Sequence, residues 1–290
     1  MPRLRSTPEG MASVDRLPWT TGLSLKSYGV RIGVRSNAPQ LLASLGEHLP
    51  SGWEQASSPV VDRIYSILVG ETGPSAKLKA FSRVYVDSVQ LERSRDLEDV
   101  LERFQSDLRI FVAEHAKDRV FVHAGVVGWN GKAIVIPGRS YSGKSTLVAA
   151  LVRAGATYYS DEYAVFDSRG RVHPFAKPLE LRDEGEYTQT KVTVAELGGH
   201  SGTKPLPVGL VLLTRFKSGS HWRPKRLTSG KGVLELLANT VSARRNPARA
   251  FTTLQMVTAK ADVLKGVRGD VSEVVSALLA KADQPRRKIA

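Results

Sequence analysis

The sequence predicts an α/β fold. A large α/β domain is expected over residues 116–285, with a small α+β region over 20–115 before it, a flexible arm over 1–19 and helices toward the C-terminal end. Three observations predict this. A β-branched run, Ala133 to Pro137 (AIVIP), leads through a glycine-rich turn into a helical run, Thr146 to Ala154, that stops at Gly155. A longer apolar run, Leu206 to Phe216, has the character of a central buried strand. The 290 residues are 41% hydrophobic and 24% charged, ordinary globular composition with ample material for a core.

In chain order, Met1 to about Trp19 carries Pro, Ser, Thr and charge without a period and reads as a loosely held arm. Ser27–Val34 is expected as a strand. Ala38–Leu49 is expected as a short helix with Asn37 at its cap and Pro39 in its first turn. Pro50–Pro59 is a loop, Asp62–Val69 a strand, Gly70–Pro74 a turn and Phe81–Leu91 another strand. From Asp96 to about His115, Leu97, Val100, Leu101, Phe104, Leu108, Phe111 and Val112 share one helical face.

Arg119–Val127 is a strand, and Asn130-Gly131 between two apolar runs signals a hairpin. After the glycine-rich turn and its helix, Ala156–Phe166 reads as two short strands or one bent strand, with a turn at Arg169-Gly170. Phe175–Glu184 is extended and then loop, and Gly198–Lys204 reads as mobile. Helices are expected at Ser229–Ala243, from Asn246-Pro247 to about Lys260, and at Val271–Ala280 behind an Asp270/Glu273 capping pair; Pro285–Ala290 is a basic tail.

With 42 Lys and Arg against 28 Asp and Glu, the formal net charge is +14, which favours polyanionic partners or is simply a solvated basic surface. No zinc-finger, RRM or basic-zipper signature accompanies the charge, so nucleic acid is not expected as a partner. No apolar run is long enough to span a bilayer, and no apolar segment follows the N-terminal arginines as in a secretory signal. The absence of cysteine excludes disulfides and thiolate metal sites and fits a cytoplasmic protein.

The turn itself, Gly138 to Thr146 (GRSYSGKST), matches the phosphate-loop pattern Gly-x-x-x-x-Gly-Lys-[Ser/Thr] at Gly138, Gly143, Lys144 and Ser145. Glycines let the backbone turn tightly and bring its N–H groups to anionic oxygens. The expected nucleotide contacts are Gly138, Arg139, Ser140, Ser142, Gly143, Lys144, Ser145 and Thr146. Lys144 supplies a point charge to the outer phosphates, the Ser145 hydroxyl a ligand for Mg²⁺, and the following helix the positive end of its dipole.

Asp161 follows the loop helix at the expected carboxyl end of the next strand, the edge where ligands gather in open α/β sheets. A carboxylate there either takes the proton of an attacking hydroxyl or holds Mg²⁺, and Glu162 offers the other role; both reach one site only if the backbone bends between them. His123 is either a satisfied core histidine or, one hairpin strand from the loop, a participant in the site. The apolar run Val208–Leu213 ends in Thr214 and Arg215, without the carboxylate of a motor or switch ATPase. No Asn-Lys-x-Asp guanine-reading motif is present, which points to ATP.

Together, His123-Ala124-Gly125-Val126-Val127, the hairpin, GRSYSGKST, the helix ending Arg153-Ala154-Gly155, and Ser160-Asp161-Glu162 resemble the catalytic domain of HPr kinase/phosphorylase and the wider group of HPr-kinase-like proteins, over about residues 120–185. The resemblance implies an HPr kinase/PEP carboxykinase-like P-loop kinase domain with ATP and Mg²⁺. It implies Asp161 as general base, Glu162 as an aid to magnesium and His123 as an assistant to the acid. Leu179-Glu180-Leu181-Arg182 is similar to the start of a family signature, which implies Glu180 near magnesium and Arg182 near the phosphates. The second acid here is Glu where the family has Asp, and Asp183-Glu184-Gly185 stands where the family continues with the segment that handles HPr. The resemblance therefore implies a serine of a protein or peptide as acceptor rather than HPr itself, and a homo-oligomer as the assembly.

The expectation is thus an ATP-dependent kinase acting on a hydroxyl, with Asp161, Lys144 and His123 as catalytic residues and Ser145, Glu162 and Glu180 around the metal. Two alternatives stay open: an ATP-binding module that holds an acidic partner with little chemistry, and a small-molecule kinase.

Overall fold

The computed structural model describes residues 7–50, 52–70, 80–138, 142–182 and 189–284. Most of the Gly70–Pro74 turn, the Asp183-Glu184-Gly185 stretch and the Pro285–Ala290 tail lie outside the described residues. The fold is mixed α/β, and the chain divides into two compact units, residues 1–117 and 118–290.

The first unit opens with α1 (Pro8–Asp15), where a loose arm was expected. Thr7 caps it by accepting from Gly10 N, Pro8 fits the first turn, and the buried Val14 carbonyl accepts from the Trp19 indole at 2.8 Å. The expected strand Ser27–Val34 is instead a hairpin: β1 (Thr21–Ser27) and β2 (Val30–Ser36) pair antiparallel around Tyr28 (φ 48°) and Gly29 (φ 80°). Both central residues are left-handed, as a type I′ turn requires, but Tyr-Gly lacks the Asn that would have announced it.

Helix α2 (Pro39–Ser44) ends in a 3-10 turn, Leu45–His48. Ala38, not Asn37, is its cap residue; the Asn37 amide is taken by both main-chain groups of Val69, at 3.0 and 2.8 Å. Strand β3 (Trp53–Gln55) lies inside the expected loop, β4 (Arg63–Leu68) falls where a strand was expected, and the single strand expected at Phe81–Leu91 is β5 (Ser82–Val86) and β6 (Val89–Ser94), folded at Asp87 (φ 50°). The sheet order is β3-β1-β2-β4-β5-β6, with only β2–β4 parallel among its pairs. Helix α3 (Leu97–His115), capped by Asp96, buries its Val100, Leu101, Phe104, Leu108, Phe111 and Val112 stripe, with the Phe104 ring edge-on to Tyr65 at 5.1 Å.

The second unit carries β7 (Val120–Trp129) and β8 (Lys132–Pro137), joined at Asn130 (φ 44°) and Gly131 (φ 75°) as the Asn-Gly signal requires. Then follow α4 (Lys144–Arg153), β9 (Thr157–Ser160), β10 (Tyr163–Phe166), β11 (Arg171–His173), β12 (Leu179–Arg182), β13 (Gln189–Val192) and β14 (Leu206–Phe216). The chain continues with β15 (Lys225–Arg226), α5 (Ser229–Leu237), α6 (Pro247–Lys260), β16 (Asp262–Arg268) and α7 (Val271–Asp283). The main sheet runs β11-β10-β7-β8-β14-β16-β15, with β9 also on β7, and β8, β14 and β16 are mutually parallel.

Strand alternation divides the core between two faces. Ala133, Val135, Val211, Leu213 and Val263 pack with Val233 and Leu236 of α5 and Leu254 and Val257 of α6. Ile134, Ile136, Leu210, Leu212 and Leu264 pack with Leu147 and Leu151 of α4 and Leu278 of α7. Where Gly125 stands, a Cβ would come within 2.5 Å of Val148, so α4 seats directly on β7.

Three further expectations are corrected. Gly198–Lys204 is pinned, since Tyr158 N donates to His200 O and Gly202 N to Tyr158 O at 2.9 and 2.7 Å. Helix α5 is shorter than Ser229–Ala243, and Asp270 is the α7 cap residue without a side-chain capping bond.

Asp167, after β10, is 7% exposed and collects Arg169 N and Arg171 N on one oxygen and Arg171 Nε and His173 Nε2 on the other, at 2.9–3.1 Å. Burial pushes its carboxyl up, but these bonds outweigh it and hold it at about 2, below the ordinary 3.8. A depressed folded pKa stabilises above 3.8 and the contribution is lost as pH falls from there toward 2. Asp167→Asn is expected to cost on the order of 1–2 kcal/mol at neutral pH. Urea midpoints should show the gap to wild type closing across that acid window; a gap independent of pH would refute the assignment.

Candidate functional site

The site forms where β8 ends and α4 begins. Gly138 N donates to His123 O at 3.1 Å, which ties the loop's first residue to β7. Gly143 is left-handed (φ 79°), and Leu147 N donates to its carbonyl at 3.2 Å, the first bond of α4. The α4 N-terminus, Lys144 and Ser145 therefore face the carboxyl edge of the parallel strands. Ser142 Oγ is buried with no hydrogen-bond partner among the described residues. Thr146 is exposed on the first turn. Arg139 and Ser140 lie outside the described residues.

Asp161 sits in the bend between β9 and β10, where both strands pair with β7. The Ser160 hydroxyl makes the bend by accepting from Glu162 N and Tyr163 N at 3.1 and 3.0 Å. This is the bend needed for both acids to serve one site. Asp161 is 7% exposed and hydrogen-bonds Ser145 of the phosphate loop. Burial is the main reason its carboxyl is held above the ordinary carboxylate range; Lys177 and the Ser145 bond pull it down, and Glu162 and Glu180 push it up. The Lys144 ammonium is lowered by burial, with Asp161 opposing.

His123 is exposed on an otherwise buried strand, so of its two readings the core one is excluded. Its ring lies 4.8 Å from that of Tyr163. Partial desolvation pulls the imidazole below its usual value, Glu162 opposes, and Lys144 adds to the lowering.

Sequence reasoning missed Lys177. Its ammonium lies 3.5 Å from Glu162 and 3.1 Å from Glu180, and its charge reaches Asp161. The buried Tyr158 holds this segment in place, its hydroxyl donating to Lys177 O at 2.9 Å. Lys177 thus balances the three acids. The Arg182 side chain lies outside the described part of the structure, while β12 brings Glu180 to the site.

Arg268, from the end of β16, was also missed. It is 2% exposed; Nη2 donates to Gly143 O at 2.8 Å and Nη1 to Gly269 O at 3.2 Å. A Cβ at residue 143 would stand 2.6 Å from Nη2, so this position needs glycine for contact as well as conformation. Nothing around Arg268 in the sequence marks it, because the strand that delivers it was not foreseen.

Among the described residues, no group of three or more His, Cys, Asp or Glu side chains is arranged to hold a metal ion by itself. Mg²⁺ asks less of a protein: one or two carboxylates and a hydroxyl, the rest from phosphate and water. Glu162 and Glu180, already drawn round the Lys177 cation, are hard oxygen donors of that kind, and the Ser145 hydroxyl is another. Lys177→Met leaves three carboxylates facing one another, and about 1–3 kcal/mol of stability is expected to go with it. Thermal unfolding should show Mg²⁺ raising the variant's midpoint more than the wild type's; an equal response would mean that the acids are not a cation site.

No helix among the described residues is long and apolar enough to cross a membrane. Compared with family models and with curated proteins, the chain finds no match in either.

Proposed function

We propose that the chain is an ATP-dependent kinase of the HPr-kinase-like type, transferring the γ-phosphoryl group to a hydroxyl, with a serine of a protein or peptide as acceptor. The observation that carries the reading is the Ser160 bend, which sets the buried Asp161 beside Ser145. It brings a buried carboxylate to the phosphate loop, with Lys144 close enough to feel its charge.

On this reading the loop N–H groups and Lys144 position the phosphates and offset their charge, so that the γ end faces Asp161. Asp161 takes the acceptor's proton at its carboxylate as the oxygen bonds phosphorus and the bond to the ADP oxygen breaks. Burial raises its pKa, which makes it a better base than an exposed carboxylate. His123, exposed at the mouth and within electrostatic reach of Glu162, orients the acid bend. Ser145, Glu162 and Glu180 would hold Mg²⁺, which when bound neutralises charge on the β- and γ-oxygens. Lys177 keeps the acids together before the metal arrives.

Parallel incubations with α-labelled and γ-labelled ATP, Mg²⁺ and candidate serine-bearing acceptors test this. Label on serine from the γ position alone is the expected result. ATP binding without transfer to any acceptor would instead support the binding-module alternative.

A further inference from the structure

An open groove of about 550 Å³ lies where β15 meets β16, lined by His221, Arg223, Lys225 and Lys265 with Gly266 and Val267. Val267 precedes Arg268, which bonds Gly143 O, so groove and phosphate loop share the carboxyl edge of the sheet. Strands β15 and β16 pair antiparallel with Lys225 directly opposite Lys265. Like charges in that position destabilise a strand pair. Glu235 answers Lys265 at 2.5 Å, and Glu273 lies 3.7 Å from His221. The exposed Arg223 and Lys225 side chains have no hydrogen-bond or ion-pair partner among the described residues. A lysine on an edge strand also deters unwanted pairing, but β15 is two residues long, and deterrence does not require two lysines face to face.

We propose that this groove docks an acidic segment of the protein or peptide acceptor, apart from the serine that takes the phosphate, an inference that rests on the phosphoryl-transfer reading above. Charge complementarity carries it. Carboxylates laid along the groove give Arg223 and Lys225 the partners they lack and relieve the repulsion between Lys225 and Lys265. A nucleic acid fits less well, because single strands are held by stacking as well as charge. No Phe, Tyr or Trp among the described residues lines the groove, and Trp222 is packed against Gly266 and the core on the α4 side of the sheet. Sheet order sets the reach. Asp161 lies in the bend before β10, and the four strand steps from β10 through β7, β8 and β14 to β16, at about 4.8 Å each, make roughly 20 Å. A flexible linker of about ten residues between acidic segment and serine matches that span.

Fluorescence anisotropy tests this with inorganic tripolyphosphate and Mg²⁺ present, so that an acidic probe does not simply occupy the phosphate loop. The probe is a labelled peptide of about six glutamates, a neutral linker of about ten residues and one serine, beside a second peptide with glutamines for the glutamates. Wild type should bind the glutamate peptide at least about tenfold more tightly. Arg223→Glu with Lys225→Glu should bring it down to the glutamine level without easier unfolding, since a carboxylate then stands opposite Lys265. Lys132→Glu with Lys260→Glu changes the net charge equally at the amino edge of the sheet and should stay within about threefold of wild type. Should the first reversal misfold, Lys225→Gln decides by the same comparison, with a loss of at least about threefold. Equal losses in the two double variants, or equal wild-type affinity for the two peptides, would overturn the groove. So would a single-stranded oligonucleotide of matching charge that bound more tightly than the glutamate peptide and displaced it. With γ-labelled ATP in place of tripolyphosphate, the glutamate peptide should be labelled with a lower KM and similar kcat. Serine label that ignores the glutamates would overturn the docking role and leave the kinase reading standing. A peptide held by Arg223 and Lys225 but never labelled would overturn its role as acceptor and leave the acidic-partner groove.

Discussion

Asp161→Asn is expected to bind Mg²⁺-ATP with near wild-type affinity and to transfer phosphate about 10²–10⁴ times more slowly. Asn keeps the size of the side chain and can still accept a hydrogen bond from the Ser145 hydroxyl, so the loop is not released. What it cannot do is accept the hydroxyl proton. The loss should therefore fall on the rate of transfer, not on ATP affinity, and rapid-quench turnover beside equilibrium binding separates the two. Because burial holds the wild-type carboxyl above the ordinary range, the substitution also removes a costly charge, and the variant should unfold no more easily than wild type. A variant that loses binding and transfer together would make Asp161 a structural or metal-holding residue instead.

Lys144→Ala is expected to fail earlier, in binding. Its ammonium is half-buried at the first residue of α4, beside the main-chain N–H groups of the helix N-terminus, while Lys177 is engaged by Glu162 and Glu180 and Arg268 by Gly143 O. Removing it takes away a charge-assisted contact to the outer phosphates, worth about 2–4 kcal/mol, or roughly 30- to 1,000-fold in ATP affinity. Transfer should then be undetectable at ordinary ATP concentrations. Tripolyphosphate should suffer a similar loss, because the lysine serves phosphates and not the base. If tripolyphosphate kept its wild-type affinity while ATP lost its own, Lys144 would have to act on the nucleoside end.

Much of this arrangement was legible in the residues. The Asn130-Gly131 turn, the β-branched run before Gly138 and the spacing of α4 placed strand, loop and helix in order, because each signal is local. The two-face burial of β14 followed from its long apolar run. The bend at Asp161-Glu162 was foreseen only as a condition, since the Ser160 hydroxyl that makes it carries no mark in the sequence.

What stayed hidden was long-range or lacked its usual residue. Strand β16 is interrupted by Lys265 and Gly266, which are tolerated because Lys265 pairs with Glu235 of α5 and Gly266 leaves room for Trp222. With the strand unseen, Arg268 and its hold on Gly143 were unseen too. Lys177 is one lysine among many in a basic chain, and only the folding of β12 beside Tyr158 gives it three acidic neighbours. The Tyr28-Gly29 hairpin and the α1 helix were missed because the cues are weak: a tyrosine where Asn is usual, and eight residues with little periodicity.

The most direct test is transfer of label from γ-labelled ATP to serine-bearing proteins and peptides, with wild type and Asp161→Asn run side by side at saturating ATP. Serine label made by wild type and reduced by at least about 10²-fold in the variant is the predicted result. Equal labelling by the two proteins would contradict the central claim that this buried carboxylate, bonded to the phosphate loop, is the base that starts the transfer.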